Sequence, residues 1–149
     1  MFIQLSPTNN HINWTADGEH LSMNLNVDGK PGLEIIQVRY DGTDMKTIYT
    51  PGSGHPSFHP SLPVMVTDAY AGEMPTADGK APIRLIDIEK NREKTVASVF
   101  LPAIKDFEFR IDEHPTWDRS GRYVVFNGSV NGTRSGFVVD LKKELKKRK

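Results

Sequence analysis

The 149 residues include no cysteine. That removes disulfides, thiolate-held zinc and cysteine nucleophiles, and it fixes no compartment. No stretch approaches the ~18 apolar residues of a membrane-spanning helix. The opening Met-Phe-Ile-Gln-Leu-Ser-Pro has neither a basic segment nor a long apolar one, so the sequence reads as lacking a secretory signal. This suits the cytoplasm as the chain stands, or the periplasm if it derives from a longer precursor. A Gly-rich phosphate loop and a nucleophile elbow are also missing. Net charge is zero but unevenly spread. Residues 142–149 hold six Lys/Arg against one acid, Glu144, leaving a body of thirteen basic and eighteen acidic residues. An acidic body argues against nucleic-acid binding. A like-charged tail reads as a solvated end.

Apolar residues make up 37% of the chain, enough for a packed core. Gly 12 and Pro 10 point to many turns. Asp-Gly occurs at 17–18, 28–29, 41–42 and 78–79, Asn-Gly at 127–128 and 131–132, and Ser-Gly at 120–121. Such pairs tolerate the positive φ of tight hairpins. Between them lie short β-branched and aromatic runs: Leu33–Tyr40, Pro63–Thr67, Ile83–Ile88, Thr95–Leu101, Tyr123–Asn127 and Gly136–Leu141. This pattern predicts an all-β fold. Only the end, 141–149, reads as helix, with too few apolar positions to dock firmly.

The chain repeats itself. His11-Ile-Asn-Trp14, His55-Pro-Ser-Phe58 and His114-Pro-Thr-Trp117 each precede a polar turn and an apolar strand. The starts lie 44 and 59 residues apart. The first spacing suits a four-stranded propeller blade of about 40–45 residues. The second leaves about 15 extra residues, which fit connections at 69–81 and 102–110. The expected architecture is a partial β-propeller of about three four-stranded antiparallel blades. Residues 1–10 form an N-terminal strand or arm, 11–141 the three-blade segment, and 142–149 a short helical basic tail. The third blade lacks its outer strand. Three blades cannot close a ring and leave open sheet edges. The expected partner is therefore a second copy, or the rest of a larger propeller, with Met1–Leu5 available as an outer strand.

Gly54-His55-Pro56-Ser57-Phe58-His59-Pro60, with Val66-Thr67-Asp68-Ala69-Tyr70, resembles a blade of the bacterial propellers related to oligogalacturonate lyase. So does the run from Asp112 to Gly128. The repeat unit is also similar to that of TolB-type propellers. The resemblance covers about residues 11–141, as the C-terminal part of such a protein. It implies β-elimination on short pectic uronates, with a divalent metal at the central face held mainly by histidines at the starts of inner strands. His55 and His114 stand at the matching positions. Where the family has Gln-x-x-His-x-His-Pro, this chain has residues 109–115, with Phe109 for the glutamine and Asp112 for a histidine. No catalytic residue is assigned within this stretch.

The residue types support the same placement. Asp112 and His114 are two apart, so in extended chain they point the same way. With His55 they make an imidazole and carboxylate set suited to Mn, or to Zn, Fe or Ni. The alternative is that each histidine packs on the aromatic that follows it. His11 holds the third equivalent turn with a weaker claim, and His59 is expected at the blade bottom, away from the site. His20 reads as solvated on its hairpin. Tyr70, Asp68, Arg110 and Asn127 are the candidate substrate-binding residues, with Glu73 beside them and 71–81 as a covering loop. Arg110 and Arg84 suit a uronate carboxylate or a surface ion pair. Two functional classes stay open: a metal-dependent site for an acidic oligosaccharide, lyase-type if active, or a non-catalytic propeller module binding a protein or glycan.

Overall fold

The computed structural model describes residues 10–29, 31–70, 73–74, 76, 78–102 and 110–146, the side chain of Asn10 excepted. Residues 1–9 of the proposed arm, Phe109 and the last three tail residues lie outside them, while Asn10 belongs to the first strand.

Three antiparallel sheets follow one another along the chain. The first runs β1 (Asn10–Trp14), β2 (His20–Leu25), β3 (Leu33–Arg39) and β4 (Lys46–Gly52). The second runs β5 (Ser57–Phe58), β6 (Val64–Thr67), β7 (Ala81–Asp87) and β8 (Arg92–Val99). The third has three strands, β9 (Thr116–Trp117), β10 (Tyr123–Val130) and β11 (Thr133–Asp140), and a short helix α1 (Lys142–Lys146) follows. Within each sheet consecutive strands pair, and Asp-Gly, Asn-Gly or Ser-Gly pairs lie in every connection except β5–β6 and β7–β8. The chain is thus all-β, as three blades of a partial propeller.

Alternation along each strand gives every blade two apolar faces, and neighbouring blades share the cores between them. Ile35 and Tyr49 of the first blade meet Met65 and Ile86 of the second. Val66, Ile83 and Leu85 of the second meet Trp117, Val124 and Phe126 of the third. Phe58 packs against the first core and Trp117 belongs to the second. Phe58 and Trp117, the aromatics of the second and third His-x-x-aromatic units, therefore each plug the preceding blade. Packing the aromatics this way stacks the histidine turns at one end of the blades.

Three expectations need correction. Asn127-Gly128 is not a turn: both residues lie inside β10, and the turn is Asn131-Gly132. A Cβ on Gly128 would meet Phe137 at 2.8 Å and Val99 at 3.1 Å, so glycine here serves close packing. The tail helix docks after all. Leu141 is buried, Leu145 packs on the same core, and Glu144 pairs with Lys94 at 2.6 Å. His20 is not solvated; its ring lies between Asp17, at 2.8 Å, and Asp44, at 3.5 Å.

Candidate metal centre

His11, His55 and His114 come from three different blades and meet at one end of the molecule. The His55 ring centroid lies 3.6 Å from that of His114 and 3.9 Å from that of His11. Their side chains and the neighbouring Pro56 and Pro115 line an open depression of about 240 Å³. Ligand atoms of His55, Asp112 and His114 all lie within 4.8 Å of one another. Asp112 and His114 reach this position without extended chain, because His114 is left-handed at φ 44°. His11 is left-handed too, at φ 55°. Non-glycine residues in this region are uncommon and gather at functional sites.

Asp68, just past the end of β6, organises the cluster. Its carboxylate accepts the His55 Nδ1–H at 2.8 Å and the His114 backbone N–H at 3.1 Å. It also accepts the His55 backbone N–H. Such close approach needs Gly54. A Cβ there would fall 2.3 Å from the Asp68 backbone and side-chain oxygens, and its φ of 73° disfavours other residues. A carboxylate on Nδ1 leaves Nε2 of His55 as the lone-pair nitrogen. That atom is buried without a hydrogen-bond partner. An orphaned imidazole nitrogen beside a second imidazole and a carboxylate is what a metal site requires.

The charges fit this reading. Burial, then the neighbouring imidazoles, lower the His11 and His114 pKa values and favour the neutral, ligating form. Burial alone would raise Asp68, but the His55 hydrogen bonds and the backbone N–H groups outweigh it and hold the carboxyl below its ordinary value. Glu113, buried beside Asp68, is pushed up to about 8. Burial, with Asp68 and Glu73 nearby, pushes Tyr70 up to about 12.

The remaining predicted residues are placed as follows. Tyr70 stands beside the rings, 5.7 Å from His55 and 5.6 Å from His11, with its hydroxyl 3.4 Å from Asn24. Asp68 lies beneath the histidines, only 1% exposed, where its contacts are with them. Arg110 is on the rim, paired with Asp112 at 2.6 Å. Asn127 donates to the Asp112 carbonyl at 3.2 Å, holding the loop that carries Asp112. Glu73 accepts a bond from Ser53 at 2.6 Å. Arg84 is buried in the second blade against Glu93 and the Pro51 carbonyl. His59 is structural, as expected. Its Nε2–H donates to the Gly121 carbonyl, and its Nδ1 accepts from the Ser61 and Leu62 N–H groups. Sequence reasoning placed His11 at the third equivalent turn, and its ring meets those of His55 and His114. The same reasoning missed the organising role of Asp68, which depends on contacts between blades.

No protein-family model matches the chain, and no curated protein sequence matches it. Solved structures do. An oligogalacturonate lyase in complex with manganese aligns at 16% identity and TM-score 0.71, covering 92% of this chain and 36% of that one. The oligogalacturonate lyase of Vibrio parahaemolyticus aligns at 13% identity and TM-score 0.71, covering 91% and 36%. TolB from Acinetobacter baumannii aligns at 17% identity and TM-score 0.66, covering 90% and 30%. The chain thus spans about a third of the length of these relatives. It has the fold of a segment of a TolB-like and oligogalacturonate lyase-like β-propeller.

Proposed function

We propose that the histidine end of the blades is a divalent-metal site for an acidic, uronate-type saccharide. The observation that carries this reading is the convergence of His55, Asp112 and His114, with the buried Nε2 of His55 lacking any partner. Two imidazoles and a carboxylate suit Mn, and also Zn, Fe or Ni. The similar lyase structure that contains manganese supports the first of these. When bound, the metal would attract a uronate carboxylate and acidify the adjacent C–H, the activation a β-elimination needs. Asp68 orients His55 from beneath. Arg110 stands on the rim as a second carboxylate-binding group. Tyr70 supplies an aromatic face beside the rings. Neutral His11, at the edge of the depression, is a proton acceptor within the same cluster.

The second reading is a non-catalytic propeller module binding a glycan or protein. The departure of residues 109–115 from the lyase-type pattern, with Phe109 for the glutamine and Asp112 for a histidine, favours it. Calorimetric titration with digalacturonate, with and without Mn²⁺, separates the two. The proposal expects binding that requires the metal and is lost in His114→Ala. Saccharide binding indifferent to metal would support the second reading and refute the first.

A further inference from the structure

Asp112 differs from the two imidazoles of the metal centre in carrying a charge, and a cation already answers it. Arg110 directs two N–H donors to a single oxygen of that carboxylate. Its Nε and one terminal nitrogen reach Oδ2 at 3.1 and 2.6 Å. Asp112 thus keeps its second oxygen outside the pair. Among the described residues, Arg110 is the one Lys or Arg whose side chain bonds to the side chain of a candidate ligand of the centre. It also acts on His114, adding to what burial and His55 do to lower that imidazole's pKa.

The pair has two candidate roles, holding Asp112 in place and balancing its charge. The main chain around it decides between them. Arg134 donates to the Arg110 carbonyl at 2.8 Å. Asn127 holds the Asp112 carbonyl at 3.2 Å through its side chain and the Glu113 carbonyl at 2.7 Å through its backbone N–H. Asp68 accepts the His114 N–H at 3.1 Å. The loop is therefore pinned at residues 110, 112, 113 and 114 without help from the Arg110 side chain. That side chain is 44% exposed and the Asp112 side chain 28%, and a pair so open to water stabilises a fold little. Its effect falls instead on a cation that comes to the same carboxylate.

We infer that Arg110 sets the selectivity of this centre as its counter-cation: it weakens the hold on a bare divalent ion and links tight metal binding to the arrival of an anionic ligand. The inference rests on the metal reading of the site. The guanidinium repels a divalent ion held by the same carboxylate, and this weakens binding of the ion by roughly tenfold. A carboxylate arriving from solution is attracted by both cations and offsets their repulsion. Ion and anion therefore reinforce each other's binding, by the same factor in each direction. A neutral saccharide gains nothing from this coupling, so the Arg110–Asp112 pair favours acidic ligands.

Calorimetric titration of Mn²⁺ into the chelator-stripped chain, with and without excess digalacturonate, tests this on the wild type, Arg110→Gln and Arg110→Lys. Circular dichroism checks that both variants are folded. Without saccharide, Arg110→Gln is expected to bind Mn²⁺ roughly tenfold more tightly than the wild type. Arg110→Lys, which keeps the charge but not the planar fork, should stay near the wild type. Digalacturonate should tighten Mn²⁺ binding in the wild type and in Arg110→Lys, and by a smaller factor in Arg110→Gln. An Arg110→Gln variant that binds Mn²⁺ no more tightly than the wild type overturns the inference and leaves the metal reading standing. The same holds if Arg110→Lys matches Arg110→Gln, since the fork rather than the charge would then matter, or if the saccharide effect is equal in all three chains. If none of the three chains binds Mn²⁺, the metal reading fails and the inference fails with it.

Discussion

The Asp68 carboxylate gathers three N–H groups from the two histidines that flank it in space, and this fixes which nitrogen of His55 is left to bind. Carboxylates behind ligating histidines typically contribute 10–100-fold to metal affinity. Asp68→Ala is therefore expected to weaken Mn²⁺ or Zn²⁺ binding by about that factor. Asp68→Asn, which keeps an acceptor for Nδ1–H, should recover part of it. Calorimetry gives the affinities, and ¹⁵N NMR of the His55 ring reads the tautomer. Unchanged affinity and tautomer in Asp68→Ala would exclude the positioning role. His59 makes a pH-dependent contribution of a different kind. Its pKa is lowered, chiefly by burial, and its Nδ1 faces two N–H donors. The fold therefore favours neutral His59, whereas the unfolded chain takes up the proton near the ordinary value of ~6.5. Its contribution is complete above that pH and is lost as pH falls through the lowered native value. Melts from pH 8 to 5 should show stability declining below ~6.5, less steeply in His59→Gln. An equal slope in both would contradict this.

At the scale of the strand, packing and chemistry fall to different residues of one repeat. Trp117 is 9% exposed inside an inter-blade core, so Trp117→Ala is expected to cost about 3–5 kcal/mol. His114, on the exposed left-handed turn before β9, should cost far less on truncation while abolishing metal binding. Paired thermal melts and metal titrations test the contrast, which His55 and Phe58 should repeat. Histidine variants that melt as early as the aromatic ones, with binding intact, would mean the turns are structural. Gly54→Ala should destabilise the protein by roughly 2 kcal/mol or more, from positive φ and collision with Asp68 together. Much of this level was legible in the sequence. Turn pairs and apolar runs located the strands to within a few residues, because hairpins are local. Asn127-Gly128 misled because nothing near it in sequence announces Phe137 and Val99 above the glycine. The docking of Leu141 was hidden for the same reason: its partners come from the second and third blades.

For the whole molecule, the repeat of histidine and aromatic gave both the number of blades and the end at which the histidines gather. It could not give the distances between them, which follow from how the blades lean on one another. Asp68 shows the limit most clearly. As a sequence feature it is an acid after a strand, suited to a substrate; in the fold it is buried under two histidines from different blades. Since the chain contains no cysteine, thiol coordination does not compete with this site. The most direct test is calorimetric titration of the chelator-stripped chain with Mn²⁺ and Zn²⁺, alongside His55→Ala, Asp112→Ala and His114→Ala. The account predicts one saturable metal site per chain in the wild type and its loss in both histidine variants, with weakened binding in Asp112→Ala. A wild-type chain that binds neither ion, or histidine variants that bind as tightly as the wild type, would contradict it.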